Sequence, residues 1–94
     1  HRVRRLLEHG TLVYGHITRL VPTGNYHNDQ MEYKIKVQFK IHNKQQTAQC
    51  HQFLGYSHLG AADSFAKSDE EVAILYDEFS PNRIALPQFL VFGR

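Results

Sequence analysis

A chain of 94 residues with a formal net charge of +2 has room for one domain with one small core. So weak a net charge gives no whole-molecule field that would select nucleic acid, and no apolar run reaches the length of a membrane-spanning helix. The single cysteine, Cys50, excludes both an intrachain disulfide and a thiolate-rich zinc site.

The chain opens on His1 rather than Met and carries no secretory signal pattern. This predicts one soluble domain, residues 1–94, belonging to a longer protein. The first stretch, HRVRRLLEHG, predicts a short helix: Val3, Leu6 and Leu7 fall at i, i+3 and i+4. Gly10 supplies its stop. Arg2, Arg4 and Arg5 cluster at the outer end. They form either a solvated helix end or the basic flank of a membrane helix on its cytosolic side.

Residues 11–21, TLVYGHITRLV, are dense in β-branched and aromatic side chains and predict a strand. Gly15 inside it predicts a bend, a bulge or a close backbone approach. Residues 22–30, PTGNYHNDQ, read as a loop, because Pro, Gly, Asn and Asp each favour turns for local reasons. Within it, Asn25, Tyr26, His27, Asn28 and Asp29 make the best candidate recognition surface, with Tyr26 as an anchor between amide side chains. An ordinary solvated hairpin loop is the plainer reading.

The clearest signal follows. Met31, Tyr33, Ile35, Val37, Phe39 and Ile41 alternate with Glu32, Lys34, Lys36, Gln38, Lys40 and His42. That is strict period two, with one face for the core and one for solvent. Asn43 and Lys44 predict a tight turn, and QQTAQCHQF a returning strand. Residues 54–70 read as a long connection with one helical turn near 61–66. EVAILYD, residues 71–77, is a strand with apolar residues on both faces, hence a central one. PNRIALPQFLVF holds the last strand, limited by Pro87. The fold this predicts is all-β: a small antiparallel barrel or curled sheet of five to six strands, OB-like or SH3-like, with a short N-terminal helix.

Between the last two strands lies the stretch EFSPN. Asp77 can accept backbone N–H bonds from residues just beyond it, Pro81 fixes φ, and Asn82 can add a side-chain bond. All three are read as structural turn residues. As an acid or base, Asp77 would need a second carboxylate or a histidine in reach. Glu78 is adjacent, and neighbours on a strand point to opposite faces.

The seven histidines, His1, His9, His16, His27, His42, His51 and His58, include no pair at ligand spacing. A turn at 43 and 44 places His51 opposite residue 36, away from His42. Cys50 with His51 and Ser57 with His58 are adjacent and so diverge. Neither a G-x-S-x-G elbow nor a phosphate-binding glycine loop occurs. These readings predict a non-catalytic domain with neither metal nor cofactor.

Lys34, Lys36 and Lys40 share the solvent face of one strand, which would suit phosphates, so an oligonucleotide-binding barrel is the alternative. Tyr33 and Phe39, which could stack on bases, have core parity instead. A lysine row also protects a sheet edge from pairing.

Together, LLEHGTLVYGHITRLV, YKIKVQF and VAILYDEFSPNRIAL resemble a bacterial domain family of unknown function whose members are small membrane-associated proteins. The family pattern closes on a motif near V-x-V-x-Y-D-P-x-N-P-x-x-x-x-L. Gly10 and Gly15 match its opening, and Val72, Ile74, Tyr76, Asp77, Pro81 and Leu86 its close. Glu78 and Ser80 replace the motif's first proline and its asparagine, and no glycine precedes the closing strand. The resemblance implies a soluble β-domain attached to membrane helices, with Asp77 and Pro81 as turn residues. The expected role is therefore a non-catalytic interaction or assembly domain of a bacterial membrane protein. A protein partner at the membrane is expected, with the cytosolic side favoured by the arginines.

Overall fold

The computed structural model describes residues 2–90. In chain order they form helix α1 (Arg2–His9), strands β1 (Thr11–His27), β2 (Gln30–Ile41) and β3 (Lys44–Leu54), helix α2 (Tyr56–Ala66), and strands β4 (Val72–Asp77) and β5 (Ser80–Ala85). A 3-10 turn, Pro87–Phe89, follows. The five strands make one antiparallel sheet in the order β3-β2-β1-β4-β5. Val91 and Phe92, placed on the last strand by the sequence, lie outside the described residues.

Two strands divide β1 between them. Its first part, Thr11 to Gly15, pairs with β4, and from His16 onward it pairs with β2. Gly15 sits where the partners change. A Cβ there would run into the Gln38 carbonyl oxygen and stand 2.8 Å from the Phe39 Cβ, so only glycine lets the chain pass. The sheet curls at this crossing until its edges, β3 and β5, come into contact. Leu86 N–H donates to Gln52 Oε1 across that seam at 2.9 Å.

Period two sets the core. Ile35, Val37 and Phe39 of β2 and Val72, Ile74 and Tyr76 of β4 all point inward and are buried. Phe39 stacks on Tyr76 with ring centroids 5.6 Å apart. Ala62 of α2 and Phe89 of the 3-10 turn close the core and are also buried, with Phe65 meeting Phe89 edge-on. Gly10 N–H donates to the Leu6 carbonyl at 2.7 Å and ends α1.

Four sequence expectations need correction. Residues 22–27 are not a loop: β1 runs to His27, with an irregular register between Pro22 and Tyr26 that absorbs the turn-forming residues. The turn itself is only Asn28–Asp29, both at positive φ (50° and 63°), as a two-residue hairpin requires. The next turn is His42–Asn43, also at positive φ, one residue earlier than read. His51 therefore faces Lys34 rather than Lys36. Residues 56–66 form a full helix rather than one turn; Leu59, Ala62, Phe65 and Ala66 supply its inner stripe.

The fourth correction is at the EFSPN corner. The turn is Glu78–Phe79, and β5 begins at Ser80. Pro81 and Asn82 therefore belong to a strand. Pro81 is tolerated because β5 lies at the sheet edge.

Candidate functional site

Three surfaces carry chemistry-bearing side chains. The first is the rim where the β1–β2 hairpin meets the end of β3. Tyr26 pairs with Met31, and Met31 in turn with Leu54 at the end of β3. Phe53 stands opposite Glu32 on the other face of the sheet. Tyr56 opens α2 and is 94% exposed. Tyr26, Met31 and Phe53 are exposed as well.

Hydrogen bonds hold the rim in shape. Tyr26 O–H donates to Asp29 Oδ1 at 3.0 Å. That bond and the carboxylate's charge, with a smaller contribution from nearby Tyr56, push the Tyr26 phenol above its ordinary pKa. Thr23 O–H and Asn25 Nδ2–H donate to Glu32 Oε1 at 2.7 and 2.8 Å, which pulls the Glu32 carboxyl below its ordinary pKa. His27 meets the Phe53 ring edge-on at 6.3 Å.

The five loop residues proposed from sequence thus separate by task. Tyr26 and Asp29 are joined, Asn25 binds Glu32, His27 turns toward Phe53, and Asn28 shapes the turn. Met31, Phe53 and Tyr56 complete the rim and were missed. Met31 carried core parity, and the approach of β3 and α2 to this hairpin is a tertiary fact.

The second surface is the outward face of β1–β3. Arg19 pairs with Lys36, Lys34 with His51, and Lys40 with Gln45, all on the side away from the core.

The third is an open groove of about 520 Å³ between α1 and the β4–β5 turn, lined by Arg5, His9, Asp77, Phe79 and Arg83 among others. Phe79 is 92% exposed at its edge. Asp77 Oδ1 accepts the Phe79 N–H at 2.8 Å, an Asx turn. His9 shares the groove but stands 3.9 Å from Glu8 Oε1, and Arg4 Nε–H donates to the other Glu8 oxygen at 3.3 Å. The groove therefore brings Asp77 and a histidine together without joining them. Asn82 is exposed on β5 and borders a separate open groove with Thr18, Lys36 and Thr47.

Cys50 lies on the inner side of β3 opposite Ile35. Burial pushes its thiol up to about 12, far from the thiolate a nucleophile needs. Among the described residues, no three His, Cys, Asp or Glu side chains gather where they could hold a metal ion. No described helix is long and apolar enough to cross a membrane. Compared with protein-family models, curated proteins and solved structures, the chain has no match, so the functional reading rests on its own residues.

Proposed function

We propose that this is a non-catalytic interaction module of a bacterial membrane-associated protein, and that the hairpin rim is where a protein partner docks. The observation that carries the reading is the rim itself. Tyr26, Met31, Phe53 and Tyr56 stand exposed around one hairpin end. Clustered exposed apolar side chains mark interaction surfaces, and tyrosine and phenylalanine are favoured anchors there. The arginines of α1 and the resemblance of the closing motif support the membrane link and its cytosolic side.

The curled sheet is best read as an OB-type partial barrel rather than an SH3-like one. Its shared β1, the helix between β3 and β4, and the meeting of β3 with β5 support that assignment.

The test is a photo-crosslinking residue placed at Tyr56 in the protein in its cell, followed by an alkaline wash of the membranes. The expected result is one discrete protein adduct retained in the washed membrane and lost when Tyr26 and Met31 are changed to serine. Release of the protein into the wash, or the same adducts from a probe at Glu71, overturns the reading.

A further inference from the structure

We infer that the outward face of β1–β3 is a second binding surface, meeting the rim at Phe53, and that its ligand is single-stranded nucleic acid.

The register concentrates charge there. Arg19, Lys34, Lys36 and Lys40 all project from this face, and Arg19 lies directly across from Lys36. Like charges placed opposite each other on a sheet oppose folding, so this pair needs a purpose beyond the fold. Among the described residues none of the four has a carboxylate oxygen within 4.0 Å. The acid beside them on β2, Glu32, stands at the rim end, with Oε1 held by Thr23 and Asn25. Removing these four from eleven cations, and Glu32 from nine carboxylates, leaves seven against eight for the remainder of the chain. The positive excess of the whole chain therefore sits on this one face, and its complement is a polyanion.

What lies between the cations selects the polyanion. Gln38, Gln45, Thr47 and Gln49 are exposed there, and Gln45 Nε2–H donates to Gln38 Oε1 at 2.9 Å. Amides and hydroxyls can bond to bases and sugars. A surface that lies in a lipid interface needs a stripe of apolar side chains among its cations, and of the strand partners of these four only Val21, half-buried opposite Lys34, is apolar. The rings stand at one end, where Phe53 and His27 meet and offer a base a plane to stack on. The open groove bordered by Thr18, Lys36, Thr47 and Asn82 gives the strand a track beside the cations.

The test is fluorescence anisotropy of the chain with labelled single strands of about 20 nucleotides, DNA and RNA, across a salt series. If each of the four cations neutralises one phosphate, binding should be about 50-fold weaker at about 200 mM than at about 50 mM salt. Changing Arg19 and Lys36 to glutamine should make the salt dependence shallower by roughly 0.7 for each phosphate no longer neutralised. Phe53→Ala should weaken binding several-fold and leave the salt dependence unchanged. Arg83→Gln, a cation outside this face, should alter neither. None of these four side chains is buried, and unchanged circular dichroism confirms folding for each variant. Equal weakening with Arg83→Gln overturns the proposal. So does a preference for duplex, or binding to phosphatidylglycerol vesicles without binding to single strands. The crosslinking at Tyr56 is read independently, so either surface can fail without the other.

Discussion

Asp77 and Gly15 each answer to a neighbour that the backbone fixes. The Asp77 carboxylate satisfies the Phe79 N–H, which has no ladder partner at the tip of a two-residue turn. Asp77→Ala should cost roughly 0.5–2 kcal/mol, by analogy with losing a side-chain cap; an unchanged urea midpoint would remove Asp77 from the turn. This role was legible because the bond spans only two residues. Gly15 was legible as a bend, a bulge or a close backbone approach, but not as to which strand approaches. The Gln38 carbonyl and Phe39 Cβ that crowd it come from another strand. Gly15→Ala should destabilise by about 1–3 kcal/mol or more, since a packed backbone cannot give way as a side chain can. Urea unfolding checks it, and a loss below experimental error would mean that the two strands part at no cost.

At the scale of elements, period two held and composition misled. β2 was legible to within a residue at each end because its alternation is unbroken. The turn after it was misplaced by one residue, yet every residue of β3 kept its face. A two-residue loop moved by one position shifts each partner by two, and the side-chain period is also two. Residues 22–27 were misread because Pro, Gly and Asn are turn formers, and only the Glu32 side chain across the hairpin shows how a strand absorbs them. α2 was underestimated for a similar reason, with Gly55 and Gly60 bracketing its first turns. Gly60 is exposed, and a Cβ there would meet nothing within 4 Å. Gly60→Ala should therefore stabilise the chain by about 0.5–1 kcal/mol, read as a higher thermal midpoint. No rise would mean that α2 frays at that point.

For the whole molecule, the curl is the main fact. It brings Leu86 to Gln52, thirty-four residues apart, and leaves Cys50 partly buried against the core. Burial raises the Cys50 thiol from 9.0 to about 12. Below pH 9 both the folded and the unfolded chain keep that proton. Above it the unfolded thiol ionises while the folded one does not, so stability falls as pH rises from about 9 toward 12. Cys50→Ala should flatten that part of the stability profile. Parallel profiles for the two proteins would mean that the thiol is not desolvated.

Local pattern alone determined the mostly-β class, the faces of β2 and β3, the short first helix and the corner at Asp77. These depend on side-chain period and on bonds between near neighbours. The sharing of β1 between two partners, the seam between β3 and β5, the aromatic rim and the side-by-side Arg19 and Lys36 were decided only by the tertiary structure. Each joins segments far apart in the chain, and which strands meet depends on how the whole sheet buries its apolar face. No local propensity encodes that outcome.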